Sequence, residues 1–303
     1  MAKKDKSTRV RETAGDRALQ AFTTAFMIFV LFIVGYPLTY CLSCSFSSIT
    51  AITGGRVWLY PVGFNFRGYE FVLQYKEVWQ GYRNTIFYTV TNVILTMVCQ
   101  ILVAYPLSKR NYQAKNLVQR IMLVAMLTGA GLVPSFLMRV WLGMNNTVWA
   151  VILSGLVGIS HTFIMRTSFR TSIPADLFDA AKIDGASELR QLTTIAVPLA
   201  KATVSVLILY AVVGMWNSYF GAMIYLSAKP DLWPLQLVLR NIMNGASIPP
   251  EELTAAAVEA MERSGIEQIR YCLIVVATVP MLAMYMICQK YFEKGVMIGS
   301  VKG

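Results

Sequence analysis

The sequence predicts an all-α, polytopic membrane protein with six transmembrane helices and both termini cytoplasmic. Three observations predict it. Of the 303 residues, 56% are apolar and 14% charged, against roughly 25% charged in an ordinary soluble protein. Mean hydropathy is +0.53. Six charge-free apolar runs approach the ~20 residues that cross ~30 Å of hydrocarbon. Finally, Lys and Arg collect on alternate sides of those runs. A soluble enzyme, a disordered chain and a disulfide scaffold are excluded by the same numbers.

The first run is Ala18–Gly55, most apolar over Ala21–Phe46. Lys3, Lys4, Lys6, Arg9, Arg11 and Arg17 precede it, as in a signal peptide. The apolar stretch is too long for that and lacks a clean small-residue cleavage site, so it reads as a retained helix. The second run is Thr85–Leu107 and the third Ile121–Met138. The fourth is Val140–Met165, the fifth Ala202–Ala228 and the sixth Tyr271–Gln289. Residues 1–19 and 290–303 then form cytoplasmic tails around a transmembrane domain at 20–289. Six spans put both termini on one side, which holds 18 Lys and Arg against 9 on the other, with 8 acids on each. Positive charge is retained inside, so the 18-rich side is cytoplasmic.

Several chemistries are missing. There is no G-x-x-x-x-G-K-[ST] nucleotide loop. Gly129-Ala130-Gly131 is a fragment of a dinucleotide fingerprint, but it lies inside an apolar run. There, with Pro134, it suits a kink or a close helix approach. The spans as drawn hold no Asp, Glu, Lys or Arg, which disfavours an ion-coupled transporter. His161 has no carboxylate within a helical turn and reads as a packing residue rather than a proton relay. Asn145-Asn146-Thr147 matches a glycosylation sequon by chance. Cys41, Cys44, Cys99, Cys272 and Cys288 all lie in or beside apolar runs. The Cys41-x-x-Cys44 spacing lacks a partner pair, so the cysteines read as small packing residues. The acid-rich stretch 228–268 reads as an external loop punctuated by prolines, with a helix over Glu251–Arg263.

The most informative stretch is Arg166–Lys201, on the basic side. Ser172 suits a helix cap, Pro174 the first turn and Asp176 the positive end of the dipole. Gly185 is placed to end that helix in a left-handed conformation. Ser187 and Glu188 open a second helix, and Pro198 marks entry to the fifth span. The first helix carries a stripe of Leu177, Ala180, Ala181 and Ile183.

Asp179-Ala180-Ala181-x-x-Asp184-Gly185-Ala186, followed by Ile195-x-Val197-Pro198, resembles the EAA loop of ABC importer permeases. Met165-Arg166-Thr167, Trp216-Asn217-Ser218-Tyr219-Phe220, Pro234-Leu235-Gln236 and the tail from Gln289 to Val296 are similar to the carbohydrate branch of that family. That branch is related to the second permease subunit of the maltose importer. The similarity runs from about Asn84 to Gly303, with its core at about 84–289. It implies a cytoplasmic coupling-helix loop between helices four and five, with Asp179, Ala180, Ala181, Asp184, Gly185 and Ala186 docking on an ATPase subunit. It also implies a second, homologous permease, two ATPase subunits, an extracytoplasmic solute-binding protein and a sugar cargo in a bacterial inner membrane, with no nucleic acid. ATP and Mg would belong to the partner ATPase, leaving this chain no cofactor, metal or catalytic residue. Two departures are visible: Asp179 stands where Glu is usual, and Ala202 where Pro is common, so the fifth span is expected to start more regularly.

Within the fifth run, Trp216, Asn217, Tyr219 and Phe220 offer aromatic faces and an amide, the groups that a sugar path needs. On one continuous helix, Asn217 and Phe220 would share a face. Interhelical packing is the competing role for Asn217. A permease for another polar solute, and a non-transporting membrane scaffold or receptor, are the other readings of the chain.

Overall fold

The computed structural model describes residues 13–244 and 265–286, and these are helical or irregular throughout. They fall into two compact units, one within Met1–Phe71 and Glu259–Val275, the other within Val72–Val258 and Val276–Gly303. The expected Glu251–Arg263 helix, Cys288 and the C-terminal tail lie outside the described residues.

Three helices are long and apolar enough to cross a membrane: α1 (Ala14–Ser45), α4 (Lys76–Ser108) and the last described helix, Gly265–Met286. Two bent pairs bring the total among the described residues to five if each pair is one span. The expected span boundaries therefore shift. The second begins nine residues before Thr85, and the sixth begins at Gly265. The fourth run, Val140–Met165, is not one helix.

In the first unit, α1 opens on a capping box in which Thr13 and Asp16 satisfy each other's backbone donors. Its far end packs Cys44 with α2 (Ile49–Thr53) through Ala51 and Ile52, and with Val57. Gln268 and Cys272 both donate to the Ser45 carbonyl. A short helix, α3 (Arg67–Gln74), runs so close that a Cβ on Gly68 would lie 2.6 Å from the Cys272 sulfur. The described cysteines are free and serve as packing residues.

The second unit is built around α4, which at ~1.5 Å per residue is about 50 Å long. Its buried face is a polar spine: Asn84, Thr85, Tyr88, Thr89, Asn92, Thr96 and Gln100 are all buried. The spine holds irregular backbone. Asn84 donates to the carbonyls of Asp231 and Trp233, and Tyr88 donates to that of Leu232. Thr85 accepts from the Leu235 N–H. Asn92 donates to the Ile152 carbonyl at 2.7 Å. Non-helical backbone at membrane depth needs such partners, because lipid offers none.

The third run bends by 115° between α5 (Lys115–Thr128) and α6 (Leu132–Trp141). Gly129 and Gly131 make the bend at φ +49° and +73°, as the kink reading expected. The helices reach past the charge-free runs, so that Arg139 falls inside α6 and Arg83 inside α4. The fourth run breaks into α7 (Trp149–Ile152) and α8 (Ile159–Thr171), with Gly155 at φ +71° between them. His161 stacks on Tyr210 at 5.6 Å, a packing role.

Then come α9 (Ala175–Ile183), α10 (Glu188–Gln191), a π-helical turn at Leu192–Ala196 and α11 (Val197–Leu199). The fifth run begins as α12 (Lys201–Trp216). It does not start regularly, since the chain bends by 82° at Ala200 between α11 and α12. Ala202 leaves the turn intact because the break precedes it. After α12 the chain breaks again before α13 (Phe220–Tyr225). Part of the expected external loop is structured: α14 (Leu235–Met243) buries Leu235, Leu237, Val238, Leu239 and Ile242. Gly81 on α4 lets it in, because a Cβ there would sit 2.9 Å from the Leu235 Cα.

Candidate functional site

The hairpin of α9 and α10 stands on a core of Met97, Tyr105, Met165, Phe169, Ile173, Leu192, Ala196 and Leu207, contributed by α4, α8, α12 and the hairpin itself. Ser172 does not cap α9. It ends α8 and donates its N–H to the Ser168 carbonyl, while Pro174 occupies the cap position without a side-chain bond. The physical reason is Pro174 itself, which keeps the residue before it out of the helical region.

The turn at Gly185 follows the sequence reading. Its φ is +73°. The Gly185 N–H donates to the Lys182 carbonyl and the Ala186 N–H to that of Ala181, at 3.0 and 2.9 Å. This pair of bonds is a Schellman ending, which requires a left-handed residue where Gly185 stands. Ser187 then caps α10 by accepting from the Arg190 N–H. Of the six motif residues, Asp179, Ala180, Asp184 and Gly185 are exposed, Ala186 is half-buried and Ala181 is buried. The stripe does not face one way. Ala181 anchors the helix, whereas Ile183 is 87% exposed and Leu189, beyond the turn, 67%. Ile183, Asp184 and Leu189 thus stand bare at the tip of the hairpin.

What the sequence reading missed is how this hairpin is tied to α4. The Tyr105 hydroxyl donates to Glu188 at 2.8 Å, and Lys109 Nζ lies 3.3 Å from the same oxygen. Lys109 also donates to Gln191 at 3.2 Å and lies 3.8 Å above the Phe178 ring and 4.6 Å above that of Tyr105. Burial pulls the Lys109 ammonium below its ordinary value, outweighing the Glu188 charge. Burial pushes the Glu188 carboxyl up, but the Tyr105 and Lys109 hydrogen bonds hold it, net, below the ordinary value. A cleft of about 820 Å³ opens beside this clamp, lined by Tyr105, Lys109, Arg170, Phe178, Lys182 and Glu188, among others. Residues 83 positions apart carry the clamp, and no local spacing signals such a pair.

The other candidate group is split by the break after α12. Trp216 is buried, 6.3 Å from the Tyr82 ring, and its Nε1 donates to the Ala277 carbonyl. Asn217 caps α12 and donates to the Val213 carbonyl. Asn217, Tyr219 and Phe220 are exposed. The expectation that Asn217 and Phe220 share a helix face is corrected, because the helix ends between them. Side-chain back-bonding by Asn217 competes with continuation of the helix.

Comparison with known proteins agrees with this architecture. Residues 6–298 match the family described as the binding-protein-dependent transport system inner membrane component. Protein LplC of Bacillus subtilis (strain 168) is 32% identical over 88% of this chain and 89% of its own length. The polygalacturonan/rhamnogalacturonan transport system permease protein YtcP of the same organism is 29% identical over 95% and 99%. A chain from the crystal structure of a bacterial ABC transporter involved in the import of the acidic polysaccharide alginate superposes with a TM-score of 0.85. It is 31% identical, covering 93% of this chain and 99% of that one. Match length, helical architecture and the motif-bearing hairpin agree, and the chain belongs to the family of binding-protein-dependent transport system inner membrane components, as a permease subunit of an ABC importer.

Proposed function

We propose that this permease moves an oligosaccharide from an extracytoplasmic binding protein into the cytoplasm. In this reading it pairs with a different, homologous permease and two ATPase subunits, which bind ATP and Mg. The hairpin carries the proposal. Its exposed tip, with Ile183, Asp184 and Leu189, seats on an ATPase, and its base is clamped to a helix about 50 Å long. Closure of the ATPase dimer by ATP then displaces the hairpin and α4 together, and the bundle switches between inward-open and outward-open. Inverting a 1:99 population takes ~5.5 kcal/mol of differential binding, which ATP and the binding protein supply jointly. The sugar assignment is supported by the polysaccharide names of two of the relatives and by the aromatic-amide break after α12. Six spans, cytoplasmic termini, the tails at 1–19 and 290–303 and the inward face of the hairpin remain part of the proposal, supported by the basic asymmetry.

Two results test it. With a cysteine introduced by Ser187→Cys, impermeant maleimide is expected to react only from the cytoplasmic side; labelling in intact cells would reverse the topology. In reconstituted vesicles, Asn217→Leu is expected to lower ATP-driven uptake at least roughly fivefold, a loss of about 1 kcal/mol, with co-purification of the ATPase unchanged. If Asn217 only holds helices together, the substitution instead costs ~1 kcal/mol of assembly and uptake per assembled complex stays constant.

A further inference from the structure

Two arginines bracket the short helix α13, and both are partnered by neutral groups. Arg240, on α14, donates from Nη1 to the Met223 sulfur at 2.7 Å and lies 4.8 Å above the Tyr219 ring. Arg139, on α6, donates to the Tyr225 hydroxyl at 2.7 Å, to the Ser154 hydroxyl at 3.0 Å and to the Ser135 carbonyl at 3.3 Å. Its guanidinium lies 4.4 Å from the Tyr225 ring centroid. Both side chains are half-buried, and neither has a carboxylate within 4.0 Å among the described residues.

The two differ in what they have left to give. Arg139 is satisfied by three oxygens and braces α6 against α7 and α13. Of its five N–H donors, Arg240 spends one, among the described residues, on a sulfur, a weak acceptor. The ring beneath it supplies an electrostatic face but no lone pair. A half-buried guanidinium with donors left over is suited to receive an anion. Its planar fork matches a carboxylate in bidentate fashion. Beneath it, Tyr219 is 37% exposed, and its ring offers a face on which a sugar ring can lie.

We infer that the Arg240–Tyr219 pair is a carboxylate-reading subsite, and that the cargo is an acidic, uronate-bearing oligosaccharide rather than a neutral one. This rests on the reading that the break after α12 faces the sugar path. An incoming carboxylate would complete the coordination of Arg240 while the pyranose lies against the residues of the break. A neutral sugar would leave that cation unpaired.

The test uses the full importer with its binding protein, reconstituted in vesicles, with a galacturonate trimer and its uncharged methyl ester as probes. Wild type is expected to take up the acid in preference to the ester. Arg240→Gln is expected to lower acid uptake at least tenfold while ester uptake changes less than twofold. Arg240→Lys is expected to fall between them, since an ammonium keeps the charge and loses the fork. An unchanged acid-to-ester ratio in Arg240→Gln, or wild-type uptake of the ester in preference to the acid, overturns the inference. Should Arg240→Gln fail to assemble, wild-type salt dependence decides: acid uptake is expected to fall with ionic strength while ester uptake does not, and equal salt responses overturn it. The underlying path reading fails separately, if Asn217→Leu leaves uptake per complex of both probes unchanged.

Discussion

Gly185→Val is expected to reduce ATP-driven uptake at least roughly tenfold while membrane insertion and expression stay near wild type. The effect is conformational and involves no crowding. A Cβ at position 185 would meet no atom within 4 Å, so a larger side chain has room. The backbone is what resists it. At φ +73° an L-residue brings its Cβ against its own carbonyl oxygen, at roughly 1–2 kcal/mol, and β-branching adds to that. The hairpin has one way to relieve the strain, which is to rotate position 185 out of the left-handed region. Doing so breaks the bonds from Gly185 and Ala186 to Lys182 and Ala181 and swings Asp184 and Ile183 away from their present directions. Gly185→Asn provides the control, because asparagine tolerates the left-handed region and is expected to keep most of the uptake. The measurement is uptake in vesicles, normalised to the amount of co-purified ATPase. Equal uptake by the Val and Asn variants would show that the turn geometry does not matter to transport.

That experiment concerns a feature that was legible in the sequence, and the reason is that it is local. Gly185 lies between a nine-residue helix and a serine cap, and a Schellman ending is fixed by residues within five positions of each other. Gly129 and Gly131 were legible as a kink for the same cause. Span existence was legible from apolar runs, but span continuity was not. Hydropathy averages over a window, whereas the breaks at Gly155 and Asn217 come from one glycine and one capping amide. Beside Gly155, Asn92 on α4 reaches across to the carbonyls of Ile152 and Ser154, and Asn84 and Tyr88 hold the chain at Asp231, Leu232 and Trp233 in the same way. Those residues lie in an apolar run, and only their mutual spacing along one helix face hinted at a buried polar spine. The 228–268 stretch reads in the sequence as an external loop with one helix at Glu251–Arg263, and α14 goes unseen there because it is too short for any span criterion, although its apolar face is buried. Within the candidate sites, the motif located the hairpin, but Ile183 as its most exposed apolar group, and Arg240 above Tyr219, depend on where chain segments meet in space.

The clamp between Lys109 and Glu188 gives the second large effect. Lys109→Met is expected to lower the uptake obtained per ATP hydrolysed by roughly five- to tenfold, about 1–1.4 kcal/mol of coupling, while ATPase subunits still assemble. The methionine keeps the apolar stem over Phe178 and Tyr105, so packing is retained and only the charge and its bonds to Glu188 and Gln191 are lost. The Lys109 side chain is 19% exposed and that of Glu188 61%, so solvent screens the pair and the loss stays near the upper range for exposed ion pairs. Glu188→Gln is expected to be milder, since its amide oxygen still accepts from the Tyr105 hydroxyl. If the pair transmits motion, the double variant loses no more than Lys109→Met alone; independent roles would make the losses multiply. The pH response has a definite sign. Glu188 has a carboxyl held below its ordinary value of 4.5, so its contribution is complete above that value and is lost as pH falls through the lowered one. Coupling in wild type is therefore expected to be flat in Glu188 across the neutral range, and hydrogen exchange at the amides of α10 is expected to rise only in acid. In Glu188→Gln the amides of α10 are expected to exchange faster already at neutral pH and to show no further acid-induced rise. Acid-induced loosening of α10 equal in wild type and Glu188→Gln would assign the effect to other carboxylates and remove Glu188 from the transmission path.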